Sequence, residues 1–269
     1  MPNIWARSED IVIPEDQKKE DGAVGRVREI AKRIDKPESV NPVLDTLATL
    51  DPFFTDRMVG YTQIGTLLLK DQPVKVVTLV RPDIGFDNDR TPFFGRGLPA
   101  DISAQTPFLN SVCARLGKNT KITFLINDLL ASDTAIQNLY QVNREELQAR
   151  VNQSMELIRD QLPRGWETNT FSSFTNFSPQ TERDYVRAIS ADSLLVEQAS
   201  QLTQQLKSLY RRLWPTINSE EALQRTLRTM AQHRILVYAA STHNSVIAMT
   251  GQNRDFYPSS STVTYLRKR

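Results

Sequence analysis

Val74-Lys75-Val76-Val77-Thr78-Leu79-Val80 and Ile122-Thr123-Phe124-Leu125-Ile126 are the two runs on which the fold turns. Each is nearly continuous in apolar and β-branched residues, and each stops at a polar boundary, Arg81-Pro82 after the first and Asn127-Asp128 after the second. Runs of this kind are strands buried on both faces. Between them Thr106-Pro107 supplies a cap and a first-turn proline, Phe108, Leu109, Val112 and Leu116 follow at helical spacing, and Gly117 closes the element. Strand, helix, strand is a βαβ unit, and open parallel sheets bind ligands beyond the carboxyl ends of their strands. The loop from Arg81 to Asp101 and the Asn127-Asp128 pair are therefore expected to face one crevice.

On the N-terminal side, residues 1–22 are polar and carry Glu15-Asp16-Gln17-Lys18-Lys19-Glu20-Asp21, which reads as a flexible arm. A helical lead-in over 23–72 follows. Its expected helices are Val24 to Ile34, one from Asn41-Pro42 with Val43, Leu44, Leu47 and Leu50 on one face, and Tyr61 to Lys70. Residues 23–269 are then a single domain.

On the C-terminal side, Asn143-Arg144-Glu145-Glu146 has the form of a capping box, opening a helix that ends near Pro163-Arg164-Gly165. Trp166 to Phe177 reads as a third strand or an extended connection, and Ser178-Pro179 starts another helix. Leu195, Ala199, Leu202, Leu206, Leu209 and Leu213 form one apolar stripe that Trp214-Pro215 stops. A helix from Ser219 to about Arg234 precedes three expected strands, Ile235 to Tyr238, Ser245 to Met249 and Thr262 to Leu266, with turn chemistry at Asn253-Arg254-Asp255. Roughly four to six strands among about seven helices make the chain α/β, with a Rossmann-like parallel sheet flanked by helices.

At 269 residues, 39% hydrophobic and 24% charged, the composition is that of an ordinary globular protein, and a net charge of +2 makes any nucleic-acid contact a matter of a local patch. Cys113 is the single cysteine and reads as a buried thiol, so no internal disulfide forms. No apolar run reaches the roughly 20 residues of a membrane span, and Met1 to Arg7 lacks the apolar core of a signal peptide. A cytoplasmic protein without membrane contact is the expectation.

No phosphate-binding loop, dinucleotide fingerprint, zinc-protease motif or paired C-x-x-C occurs, and Gly95-Arg96-Gly97 falls late in a loop. His243 lies in a turn with no nucleophile elbow, which argues against a serine-histidine-acid triad. Asp83, Asp87 and Asp89 lack calcium-loop spacing and read as loop chemistry anchored by Arg81 and Arg90, so neither metal nor cofactor is expected.

Phe124-Leu125-Ile126-Asn127-Asp128, Tyr140 twelve residues past that acid, Ala149-Arg150, then Ile235-Leu236-Val237-Tyr238 with a hairpin after it and a closing strand at Thr262 to Leu266 resemble the layout of the tRNA-dependent cyclodipeptide synthases. The resemblance implies a Rossmann-type fold and the joining of two aminoacyl groups from tRNA into a diketopiperazine. That family carries Gly-Ile-Ser at the end of its first strand, where this chain reads Thr78-Leu79-Val80-Arg81. A tyrosine and a glutamate are also missing from Leu227 to Arg234. A fungal branch that uses arginyl-tRNA is the more similar one, since it too lacks the serine motif. An acidic crevice of Asp83, Asp87 and Asp128 would suit a guanidinium.

The crevice residues expected to bind the aminoacyl group are Arg81, Asp83, Asp87 and Asp128; the resemblance adds Tyr140 for binding and Tyr238 for chemistry, while Thr78, Ser103 and Ser132, the hydroxyls near the strand ends, stand together as candidate nucleophiles. For tRNA phosphates the candidates are Arg144, Arg150, Lys207, Arg211 and Arg212. A second resemblance is to the isocyanide synthases of the pyoverdine and dityrosine type. It rests on Pro73-Val74, Gly97-Leu98-Pro99 with Asp101, Phe108-Leu109-Asn110, Cys113 and the strand ending at Asp128. A non-catalytic binding module is the remaining reading.

Overall fold

A computed structural model describes residues 15–80, 84–86, 92–94, 98–117, 120–213, 216–249 and 263–267. Five parallel strands form the central sheet: β1 (Val74–Val80), β4 (Thr120–Ile126), β5 (Glu167–Thr170), β6 (Ser245–Met249) and β7 (Tyr265–Arg267). Two short strands, β2 (Ile84–Phe86) and β3 (Pro92–Phe94), pair antiparallel in a separate ribbon. The sheet order is β5-β4-β1-β6-β7. Succession moves one way from β1 through β4 to β5, then returns to the other side of β1 with β6 and β7. That is the doubly wound, Rossmann-like order, and its reversal lies between β1 and β6.

Alternation along β1 sends its side chains to two cores. Val74, Val76 and Val80 meet α1 (Glu15–Arg33), α2 (Val40–Leu50), α3 (Arg57–Leu69), α4 (Leu98–Leu116) and α6 (Arg144–Gln161) on one face. Val77 packs on the other face with Phe171 of α7 (Phe171–Thr175) and with Leu236 and Ala240 of α10 (Ser219–Thr242). Helices α8 (Pro179–Ser190) and α9 (Ser193–Leu213) build a third cluster outward on α10, with Ile189, Ala199, Leu202, Leu227 and Ala231 at its centre. The short α5 (Thr134–Tyr140) lies between β4 and α6. The β7 edge is covered, since Phe54 bridges Leu266 and the Thr55 N–H donates to the Tyr265 carbonyl at 3.2 Å.

Several expectations need correction. Ile235 to Tyr238 is helical, in the last third of α10, despite its β-branched start. A full capping box at Asn218 and Glu221 opens that helix, and Leu227, Ala231, Ile235 and Ala239 recur every four residues along it. The C-terminal strands β6 and β7 are parallel, so no hairpin joins them. Pro107 sits inside α4, which starts at Leu98, and the Thr106 hydroxyl turns back to the Ile102 carbonyl at 2.7 Å. The first helix begins at Glu15, inside the charged run read as an arm. Trp166 to Phe177 divides into β5 and α7, the helix being capped by the Thr170 hydroxyl on the Ser173 N–H.

Candidate functional site

The reversal between β1 and β6 places the candidate site at the carboxyl rim of the sheet. Beside it, the Asn127 N–H donates to the Val80 carbonyl at 3.1 Å and the Asn127 side chain accepts from the Leu129 N–H. Asp128 follows. Its Oδ1 accepts the Ser172 N–H at 2.9 Å and its Oδ2 accepts the Ser172 hydroxyl, so the carboxylate ties the end of β4 to the start of α7. Hydrogen bonds to an ionised acceptor are the strong ones, and two from one residue give Asp128 a structural task at this rim.

Thr78, two residues short of the end of β1, is 1% exposed. Its hydroxyl donates to the Gln105 Oε1 of α4 at 3.0 Å, within the core between sheet and helix. Ser103 is exposed two residues toward the start of the same helix, and Ser132 is exposed in the 3-10 turn Asp128–Ser132. Tyr238 projects from α10 with 68% of its surface exposed. Thr78 faces α4 and Tyr238 rides the helix on the opposite face, so the three expected catalytic residues do not converge. Arg81, Asp83 and Asp87 lie outside the described residues, as do Asp89, Arg90 and Gly95-Arg96-Gly97. Tyr140 ends α5, of which only the backbone is described at that position.

The basic candidates divide by face but not by end. Exposed Arg144 and half-buried Arg150, bonded to Gln153, lie in the first turns of α6, just after the carboxyl end of β4. Exposed Lys207 and Arg211, with Arg212 beside them in the chain, lie in the last turns of α9, a short connection before α10 begins. Arg225 of α10 pairs with Asp133, the N-cap of α5, at 3.1 Å. That pair ties the start of α10, and with it the end of α9, to the carboxyl side of the sheet. Next to it lies a cleft of about 550 Å³ lined by Ala135, Asn218, Glu220, Gln224, Arg225 and Arg228. Arg228 in turn pairs with Glu182 at 3.2 Å.

Cys113 is half-buried at the edge of the core rather than fully buried, and the burial it has raises its thiol above the ordinary range. Among the described residues no group of three or more His, Cys, Asp or Glu is placed to hold a metal ion, and no helix is long and apolar enough to cross a membrane. Two residues of this rim escaped sequence reading. A helix capped at Thr106 leaves Gln105 outside it; with the helix starting at Leu98, Gln105 is a polar residue in the core stripe Ile102, Gln105, Leu109, Val112 and Leu116. Ser172 lay in a segment read as extended. No family model matches the chain, and no curated protein matches it.

Proposed function

We propose that the chain is an aminoacyl transferase that takes its acyl groups from tRNA at the carboxyl rim of the sheet and joins two of them into a cyclic dipeptide, arginine being a favoured residue. One observation carries the reading. Helices from both faces of a Rossmann-like sheet bring basic turns, Arg144 and Arg150 of α6 and Lys207 and Arg211 of α9, to the end where the strand order reverses. Phosphate contacts from two flanks position an acceptor stem, and a crevice at the reversal receives its esterified 3′ end. In each acyl transfer an amine attacks the ester carbonyl, a C–N bond forms, the C–O bond to the ribose breaks, and the ribose oxygen leaves with the amine's proton. Two such steps close a diketopiperazine. With Thr78 bonded to Gln105 in the core, direct attack by the second amine is the route that asks for no enzyme nucleophile.

The test is to express the full chain in a bacterial host and profile the medium by mass spectrometry. Purified protein is then supplied with aminoacylated tRNA. Diketopiperazines that vanish when the tRNA is deacylated support the proposal. An isonitrile product instead moves the chain to the isocyanide synthases, and no product above the empty vector in either experiment leaves a binding module.

A further inference from the structure

We propose that the cleft between the starts of α5 and α10 reads the base of an unpaired cytidine, the nucleotide that the single-stranded CCA end of a tRNA presents. The source of that nucleotide rests on the tRNA reading above; the chemistry of the cleft does not. Glu220, Gln224 and Arg228 line the cleft at steps of four along α10, so they stand in one row on the helix. Glu220 and Gln224 are exposed, and neither has a hydrogen-bond partner among the described residues. Arg228 is aimed by the buried Glu182. Its Nε and Nη2 each lie 3.2 Å from the Glu182 Oε2, which leaves Nη1 for the cleft. Asp133 holds Arg225 at 3.1 Å, and Ala135 and Ile217 supply the apolar part of the wall.

Along this row the helix offers a carboxylate acceptor, an amide and a guanidinium donor. Cytosine carries the complementary edge in the same order: Glu220 accepts from the N4 amino group, the Gln224 amide donates to N3, and Arg228 Nη1 donates to O2. Uracil turns an acceptor, O4, toward the Glu220 carboxylate, which has no proton to give, and is rejected. The cleft volume of about 550 Å³ is that of a small-molecule site. Charge favours a base over a phosphate there, because Glu220 and Glu221 balance Arg225 and Arg228 in the lining. The phosphates have cations on either side instead. Helix α5 leads into α6 and its Arg144, while Thr216 and Ile217 of the lining belong to the connection from α9, whose last turns carry Lys207 and Arg211. A single strand that spans these two sets passes over the cleft, and an unstacked base is what it can insert.

The test titrates the full-length protein with the trinucleotides CCA and UUA and follows binding by ligand-observed NMR. CCA is expected to bind about tenfold more tightly than UUA, the size of one charge-assisted hydrogen bond. Glu220→Gln is expected to erase that preference, because an amide donates to uracil O4 as readily as it accepts from cytosine N4, and Gln224→Leu to weaken CCA about threefold. Both positions are exposed, so both variants are expected to melt with the wild type. Intact tRNA and tRNA trimmed of its CCA end then compete with the trinucleotide. Displacement by the intact form alone supports the proposal in full. A preference for CCA that neither tRNA disturbs keeps the cytidine site and removes the tRNA reading. Trinucleotides bound alike or not at all, or a preference that survives Glu220→Gln, overturn the inference whatever product the protein makes.

Discussion

His233 of α10 is buried, and its Nε2 lies 2.9 Å from the Tyr265 hydroxyl of β7, with the two rings stacked 5.9 Å apart. Burial first, and the neighbouring Arg234 charge second, lower its pKa from 6.5 to about 3. The folded protein therefore keeps this imidazole neutral where the unfolded chain protonates it. Stability is full above the unfolded value of 6.5 and falls as pH drops from there toward about 3. The slope in that window approaches about 1.4 kcal/mol per pH unit for a fully buried group. Urea denaturation between pH 7.5 and 4.5 is expected to show the loss, and His233→Gln to flatten it. A wild-type profile that is flat across that range would contradict the burial argument. Asp128 poses the complementary case. Losing its two bonds from Ser172 in Asp128→Ala is expected to lower stability by about 1–3 kcal/mol, read as a shift in the urea midpoint.

Helix α3 shows at the scale of an element how closely the lead-in is fitted. A Cβ on Gly60 would come within 2.6 Å of the Phe54 ring, whose backbone bridges the outer strand β7. Gly60→Ala must therefore displace an aromatic ring that covers a sheet edge, and overpacking of this kind costs about 1–3 kcal/mol. Differential scanning calorimetry checks it, and an unchanged or raised melting temperature would sink the claim. Strands β1 and β4 were legible because two-sided burial leaves an uninterrupted apolar run, and α9 because its apolar stripe keeps one period from Leu195 to Leu213 of a 21-residue helix. Ile235 to Tyr238 was not legible, because a short β-branched run has the same composition in a strand and in a buried helix segment. A cap seventeen residues earlier, at Asn218, decides between them. The site was legible only in its first half. Asp128 announces itself at a strand end, but Ser172 is 44 residues away and Gln105 is 27 from Thr78, and no local pattern reports such contacts.

For the whole molecule the decisive question is whether its two faces act on one partner. Arg144 rides the face that carries α4 and α6, and Lys207 and Arg211 ride the layer that carries α8 and α10. Both sets emerge at the carboxyl end of the sheet, so a nucleic acid lying across that end meets both, and one lying along a single face meets only one. Arg144→Gln and the pair Lys207→Gln with Arg211→Gln change exposed charges away from the core, so each is expected to shift stability by no more than about 0.5 kcal/mol. Each phosphate contact removed should reduce the slope of log affinity against log salt by about 0.7 to 0.9. Filter binding of tRNA across a salt series is then expected to show a reduced slope for each variant. The combined variant should show the sum, because the two sets lie on different elements. If only one set changes the slope, the partner does not cross the rim, and the geometry proposed for the acceptor stem fails even if tRNA still binds.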